Sequence, residues 1–256
     1  LGDVYKRQVL APLDDFGGRA IYFVGDVDRK ISWICSKLID EGDTVIDVGA
    51  NLGLVTFHMS SLVGSKGKVF SFEPIPTLQE YIRKSIKYNG IENINLYGCA
   101  LGSEKGKAQI SVPDGHFGRA SLQKGYQGEN DRRITIDVET LTDILEANEV
   151  RSCKLIKIDV EGHELEVLKG AENFLKSARP DHILFELIDN RANLFENPIF
   201  QLLGGLGYKF LGVPRCVFKM KLKKIEPSGL NPVVAHDFLA VHEDSYTETS
   251  RLLNAE

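Results

Sequence analysis

Two spacings of apolar residues alternate along this chain. Short runs of β-favouring residues, several of which end at an acid, predict buried strands over residues 44–48, 69–73, 94–101, 134–138, 154–159, 182–187, 208–213 and 237–242. Between them, apolar residues recur three and four positions apart, which predicts helices over residues 31–39, 52–62, 77–89, 141–145, 161–177 and 193–206. In the second helix we expect Leu54, Val55 and Met59 to be buried.

Strands that alternate with helices at this spacing predict an α/β fold with right-handed crossovers. The result is a doubly wound, mostly parallel sheet with helices on both faces. The last two strands have no good helix between them and are expected to form an antiparallel pair. Residues 106–112 predict an added strand outside the alternation, and the polar, glycine-rich segment 113–130 predicts a mobile loop near a ligand.

The first strand ends in an unusual turn, in which Asp47 is followed by Gly49 and Gly53. Glycine lets the backbone approach a ligand closely, and the helix that follows directs free N–H groups towards it. The spacing is G-x-x-x-G, a poor match to the G-x-G-x-x-G pattern that accommodates a pyrophosphate. An acid beside this looser turn favours a ligand with a cationic group and no phosphate.

Four acids lie at or near the carboxyl ends of predicted strands: Asp47, Glu73, Asp159 and Glu186. In doubly wound sheets the ligand binds outside these strand ends, where the strand order reverses. Glu73 lies one strand-helix-strand step beyond the glycine turn, where such folds place an acid against ribose hydroxyls. A plain helix-capping role before Pro74 is the alternative for this residue.

The composition narrows the class of protein. With 256 residues and 43% apolar positions the chain can bury a sizeable core, and we interpret residues 9–256 as one domain. Residues 1–8 lack an initiator methionine and resemble translated adapter sequence, so we interpret them as a non-native leader. A net charge of -5 gives no reason to expect nucleic acid or an anionic membrane as partner.

The four cysteines are scattered and form no C-x-x-C pair. This favours reduced core thiols in a cytoplasmic protein over a disulfide framework or a zinc site. No run approaches the roughly 18 apolar residues of a membrane span.

Four motifs occur together in the order seen in one family of enzymes. They are Val45–Gly53, Phe72–Pro74, Ala100–Gly102 and Lys157–Glu164. Over about residues 31–190 the chain resembles the FkbM-type S-adenosylmethionine-dependent methyltransferases. The resemblance implies a class I methyltransferase sheet of seven strands with the last pair reversed, in agreement with the pattern above.

The resemblance also implies a cofactor site. By position in the motifs, the methionine part of S-adenosylmethionine would be lined by Asp47, Gly49, Asn51 and Gly53. Glu73 would hold the ribose, and Ala100 and Leu101 would lie beside the adenine. No aspartate follows the third strand to accept from the adenine amine, so Ser103 or a backbone carbonyl would take that role.

The segment from Asp159 to Glu164 is the expected reactive segment. Methyl transfer from a sulfonium needs an aligned acceptor and a group that manages its proton. We expect Asp159 and Glu161 to be required and His163 to assist, with Glu186 orienting the acceptor. Alternatively, Asp159 contacts the amino group of the cofactor, Glu161 caps the next helix, or His163 is an inert surface residue.

Three weaker features have ordinary explanations. Asp159, Asp189 and Asn190 have the oxygen ligands that magnesium prefers, but Asp189 and Asn190 also suit the end of a strand, and we predict no metal site. Arg119 and Ser121 could close over substrate or lie on a solvated loop. Alternating lysines over residues 218–223 indicate a protected edge strand, or else a patch for an acidic acceptor or RNA.

The resulting functional expectation is O-methylation of a hydroxyl on a sugar, glycolipid or secondary metabolite, with a small-molecule or carbohydrate acceptor and no nucleic acid. A cofactor-binding protein without catalysis is one alternative, and an RNA methyltransferase is a less supported one. The glycine spacing disfavours an oxidoreductase.

Overall fold

The computed structural model describes residues 7–26, 28–113, 115, 117, 120, 122, 132–187, 193–214, 220–226 and 236–256. The helices are α1 Phe16–Val24, α2 Arg29–Leu38, α3 Leu54–Val63, α4 Pro76–Asn89, α5 Leu141–Ala147, α6 Glu164–Ala178, α7 Pro198–Gly205 and α8 Glu243–Leu252. The strands are β1 Thr44–Val48, β2 Lys68–Phe72, β3 Ile94–Tyr97, β4 Ala100–Leu101, β5 Gly106–Val112, β6 Arg132–Glu139, β7 Leu155–Ile158, β8 His182–Glu186, β9 Tyr208–Val213, β10 Lys223–Ile225 and β11 Asp237–His242.

The main sheet has eight strands in the order β10-β9-β11-β8-β7-β1-β2-β3. Strands β3, β2, β1, β7 and β8 are parallel, and β11 runs antiparallel to both β8 and β9. The strand order reverses between β1 and β7, so the ligand crevice of a doubly wound sheet is expected above this pair. The α/β fold and the antiparallel end of the sheet are confirmed, and the short edge strand β10 adds an eighth strand to the expected seven.

The predicted third strand, 94–101, is wrong as one unit. It divides into β3 in the main sheet and β4, which pairs in parallel with β6 in a second sheet of order β4-β6-β5. Gly98 lies at the division, where a Cβ atom would come within 2.6 Å of the Gln79 side chain, so the chain passes close to α4 before it changes sheets. The added strand β5 is present and pairs antiparallel with β6.

Three helix predictions also needed correction. Helix α3 begins at Leu54 and buries Met59 as expected, but Leu54 and Val55 are only half-buried. Helix α6 begins at Glu164, because the preceding residues 161 and 162 have φ angles of 53° and 93°. The predicted helix 193–206 is a 3₁₀ turn, Leu194–Glu196, followed by α7, which Pro198 begins after the capping residue Asn197.

Both faces of the sheet are buried. Ile46, Phe70 and Ile156 belong to one apolar cluster, with side chains of α5, α6 and α7. Their strand neighbours Val45 and Val69 belong to a second cluster, with side chains of α2 and α3. This arrangement explains why the central strands are continuous apolar runs, as is typical of parallel sheets covered on both sides.

The first described residues contact two helices. The Arg7 side chain donates a hydrogen bond of 2.6 Å to the Ser60 hydroxyl in α3, and the backbone N–H of Gln8 donates one of 2.7 Å to the Asn89 side chain in α4. The origin of residues 1–8 stays a prediction.

The described cysteines, Cys35, Cys99 and Cys153, are buried free thiols, and burial raises the pKa of each. Cys216 lies outside the described residues. Within the described part of the chain, no helix has the length and apolar character needed to cross a membrane.

Candidate functional site

The turn after β1 brings three strand ends together. Gly49 has a φ angle of 79°, and a Cβ atom on it would lie 1.9 Å from the backbone oxygen of Asp159. The N–H groups of Gly49 and Ala50 both donate to the carbonyl of Phe72, at 3.1 and 3.0 Å. Only glycine allows this approach, so the turn is held against the ends of both β2 and β7.

Glu73 is the buried acid of this turn. Its side chain accepts hydrogen bonds from the backbone N–H groups of Asn51, at 2.8 Å, and Ile75, at 2.9 Å. Burial raises the pKa of Glu73 to about 7, although these two hydrogen bonds favour the charged form. The carboxylate thus fixes the start of α3 relative to β2 and titrates close to neutral pH.

A cleft of about 720 Å³, its open mouth included, lies above the strand ends. It is lined by Val48, Gly49, Asn51, Phe72, Glu73, Pro74, Ile75, Leu78, Cys99, Ala100, Leu101, Ile110, Phe117, Ala120, Leu122, Asp159, Val160, Glu161 and His163. The position matches the crevice expected from the strand order.

Much of the cleft wall is apolar and was not found from the sequence. Ile110 comes from β5, and Phe117, Ala120 and Leu122 come from the segment expected to form a loop near the ligand. In the sequence, the apolar residues inside this otherwise polar segment were the sign that it could line a cleft. Arg119 and Ser121 lie outside the described residues.

Ala100 and Leu101 line the cleft as expected for residues beside an adenine. Ser103, one of the two groups considered to accept from the adenine amine, is not among the residues that line the cleft, and its hydroxyl donates to the Glu166 carboxylate at 2.6 Å. The acceptor for the adenine amine stays a prediction.

Two expected cofactor residues lie away from the cleft wall. Asp47 is fully buried, accepts a hydrogen bond of 2.6 Å from the Thr56 hydroxyl and lies 3.2 Å from the Lys157 ammonium. Gly53 precedes α3 and faces the side chains of Phe57 and Ile82. Both residues therefore contact other protein groups around the turn.

Asp159, Glu161 and Glu186 form a carboxylate cluster beside the cleft. Each offers an oxygen, and these oxygens lie within 4.8 Å of one another. Burial, followed by the charges of Asp159 and Glu161, raises the pKa of Glu186 to about 7. The cluster can therefore hold one proton near neutral pH, as closely spaced carboxylates do. Asp189 and Asn190 lie outside the described residues.

His163 and Glu164 end the reactive segment. His163 lines the cleft just before α6, and burial lowers its pKa, so that its ring is largely neutral at neutral pH. Glu164, not Glu161, accepts from the N–H groups that precede the helix, at 3.2 Å from Val160 and 3.0 Å from Gly162. The cap residue of α6 is His163 and makes no side-chain capping hydrogen bond, so the capping role considered for Glu161 is wrong, and the Glu161 carboxylate belongs to the cluster.

The residues present fit a nucleoside with a cationic group. Among the described residues, the Asn51 side-chain oxygen is buried without a hydrogen-bond partner, and Asn51 lines the cleft, so a ligand donor would satisfy it. A buried carboxylate, an apolar wall and a partly exposed carboxylate, Asp159, share this one space.

One family model matches the part of the chain that contains the cleft. The family model described as the methyltransferase FkbM domain matches residues 47–210, more than half of the chain. The match begins at the buried Asp47, near the end of β1, and ends at Phe210 within β9. It therefore includes every residue that lines the cleft, while α1 and α2 lie outside it.

Two curated relatives carry methyltransferase names. The chain is 30% identical over 165 residues to the hexuronic acid methyltransferase AglP of Haloferax volcanii, covering 64% of this chain and 62% of that protein. It is 22% identical over 166 residues to methyltransferase 1 of Beauveria bassiana, covering 58% of this chain and 66% of that protein. The chain thus spans less than two-thirds of the length of either relative.

Among solved structures, the chain is similar in fold to a SAM-dependent O-methyltransferase of Thermotoga maritima. The two share 13% sequence identity with a TM-score of 0.47, over 87% of this chain and 69% of that one.

Proposed function

The chain belongs to the FkbM family of S-adenosylmethionine-dependent methyltransferases, and we propose that it transfers a methyl group to a hydroxyl of a sugar, glycolipid or secondary metabolite. The proposal rests chiefly on one observation. The cleft at the strand-order reversal joins the buried Glu73 carboxylate, an apolar wall and the carboxylate cluster that begins at Asp159.

The proposed cofactor position follows from the chemistry of the cleft wall. The Glu73 carboxylate would accept from ribose hydroxyls, and charged acceptors make the stronger hydrogen bonds. Ala100 and Leu101 would pack against the adenine, and Gly49 and Asn51 would lie against the methionine part. The Asp159 carboxylate would face the cationic end of the cofactor.

The bound cofactor would supply an electrophilic methyl carbon on a sulfonium, so the chain's own residues must align the acceptor and manage its proton. Glu186 and Asp159 belong to a cluster that can take up a proton near neutral pH, and His163 is a neutral ring on the cleft wall. We propose that Glu186 accepts the hydroxyl proton, that Glu161 holds the acceptor and that His163 assists, while Asp159 faces the cofactor.

A carbohydrate acceptor is supported by the relative whose printed name is hexuronic acid methyltransferase. The acidic cluster beside the cleft suits donors such as hydroxyl groups, since carboxylates are pure acceptors. The three buried thiols support the proposed cytoplasmic location.

The test combines binding and transfer. Isothermal titration of the full chain with S-adenosylhomocysteine should give saturable heat and raise the unfolding temperature. Incubation with isotopically labelled cofactor and a fractionated cell extract should then label a hydroxyl-bearing product. Absence of heat and of thermal protection would remove the cofactor assignment, whereas binding without any labelled product would favour a non-catalytic cofactor-binding protein.

A further inference from the structure

Lys157 is a buried lysine on a central strand. It occupies β7 between Ile156 and Ile158, and its side chain is only 7% exposed. A lysine is rarely buried to this extent unless it is paired, because its charge loses hydration. Packing alone would be satisfied by an apolar residue, so the contacts of this ammonium need an explanation.

The Lys157 ammonium contacts groups from two strand ends. It donates a hydrogen bond of 2.8 Å to the carbonyl of Gly49, and it lies 3.2 Å from the Asp47 carboxylate and 3.5 Å from that of Asp159. Burial disfavours its charged form, but the charges of Asp47 and Asp159 outweigh this effect, so its pKa lies above that of a free lysine. The side chain is therefore a permanent cation beneath the cleft.

Two of these contacts reach the cleft wall directly. Gly49 and Asp159 both line the cleft, whereas Lys157 and Asp47 lie below it. The Asp159 side chain is 41% exposed, so its carboxylate meets the ammonium on one side and the open cleft on the other. One cation thus holds both a backbone carbonyl and a carboxylate that face the proposed methionine site.

We infer that Lys157 is a positioning residue for the cofactor, which holds the Gly49 carbonyl and the Asp159 carboxylate in the geometry that receives the cationic end of S-adenosylmethionine. This inference rests on the proposed function.

The charges in this group are consistent with such a role. Asp47 is fully buried and its charge balances that of Lys157. The Asp159 carboxylate adds a second negative charge, which faces the cleft. The three groups together therefore carry one net negative charge, and Asp159 presents it where a sulfonium and an ammonium would lie.

A purely structural role makes a different prediction. If Lys157 only neutralises Asp47, removing both charges together should restore the protein, since paired buried charges can be replaced by neutral groups at little cost to stability. A positioning role predicts that the same double variant recovers stability but not affinity, because Gly49 and Asp159 still lack their partner.

The experiment compares four variants by urea unfolding and by calorimetric titration with S-adenosylhomocysteine. Lys157→Met alone should lower the unfolding midpoint and weaken binding. Asp47→Asn with Lys157→Met should return the midpoint towards the wild-type value and still bind about tenfold more weakly or worse, as expected for loss of hydrogen bonds to a charged group.

Lys154→Met is the matched control on the same sheet. Lys154 precedes β7 at its other end and pairs with Asp181 at 2.8 Å. Its loss should lower stability without changing the affinity for S-adenosylhomocysteine. Lys157→Arg retains the charge but replaces a compact ammonium with a planar group, so it should fold with weakened binding.

Wild-type affinity in the Asp47→Asn, Lys157→Met double variant would overturn the inference. If that variant does not fold, unchanged affinity in a stable Lys157→Arg protein would overturn it instead. Failure of the wild-type protein to bind S-adenosylhomocysteine would contradict the proposed function and not the contacts of Lys157, so the two failures are distinguishable.

Discussion

The carboxylate of Asp15 accepts a hydrogen bond of 2.8 Å from the backbone N–H of Phe117. Its second oxygen accepts one of 3.1 Å from Gly18, at the start of α1, and the residue is only 1% exposed. Because Phe117 lines the cleft, one buried side chain joins the N-terminal helix to the cleft wall. This part of the cofactor cleft is thus positioned by a residue outside the region 47–210 that matches the family.

Replacing Asp15 by Ala should weaken both stability and cofactor binding. Loss of the helix cap is expected to lower the free energy of unfolding by about 1–2 kcal/mol. Loss of the hydrogen bond from Phe117 should weaken binding of S-adenosylhomocysteine several-fold, because this part of the cleft wall is then no longer held to the start of α1. Urea unfolding and calorimetry measure the two effects, and the exposed neighbour Asp14 provides the control variant Asp14→Ala. Unchanged affinity in a destabilised Asp15→Ala protein would limit this residue to capping α1.

Glu73 should make stability depend on pH in an unusual direction. Its pKa is raised to about 7 in the folded protein from an ordinary value of 4.5, chiefly by burial. Between these values the folded state binds more protons than the unfolded state, so the contribution of Glu73 to stability falls as pH rises through this window. Glu73→Gln should remove this loss, and its unfolding free energy relative to wild type should rise by roughly 2–3 kcal/mol between pH 5 and pH 8.

The same variant should bind cofactor more weakly. A neutral amide accepts weaker hydrogen bonds from ribose hydroxyls than a carboxylate does, so the affinity for S-adenosylhomocysteine should fall about tenfold at pH 8. Glu80→Gln, on the exposed side of α4, is the control and should bind normally. A Glu73→Gln protein with wild-type affinity at pH 8 would remove Glu73 from the proposed ribose site.

Glu186 should control the pH dependence of methyl transfer. A proton acceptor must be deprotonated, and the pKa of Glu186 is raised to about 7, so activity should rise as pH increases from about 6 to 8. Glu186→Gln should lower kcat by roughly 100-fold and lose this rise, while binding S-adenosylhomocysteine normally. His163→Gln should have a smaller effect, and Glu146→Gln, exposed on α5, none. A full rise with pH in the Glu186→Gln protein would assign the proton to another group.

Local residue types account for the parts of this site that could be predicted from the sequence. The glycine turn and the acids at strand ends follow from the residues of single segments, and the structure places Glu73, Asn51 and Asp159 around one cleft. Asp47 was expected at the cofactor from its position in the family motif, but a motif does not show which way a side chain points from its strand, and Asp47 is fully buried.

The missed residues depend on pairings between distant segments. Lys157 appears in the sequence as one polar residue in an apolar strand, and only the fold shows that β7 lies beside β1. Asp15 contacts a residue about a hundred positions away, at Phe117. Glu164 accepts from the N–H of Gly162 because the backbone turns at this glycine, a conformation that charge spacing does not reveal.

A chelator should leave methyl transfer unchanged. The oxygens of Asp159, Glu161 and Glu186 lie within 4.8 Å of one another, and such a cluster is stabilised by either a shared proton or a cation. The pKa of about 7 at Glu186 indicates that a proton can serve at neutral pH. Activity with labelled cofactor should therefore be equal with and without excess EDTA at pH 7 to 8. Loss of activity in EDTA that magnesium restores, together with no response to magnesium in Glu186→Gln, would show instead that the three carboxylates bind a cation.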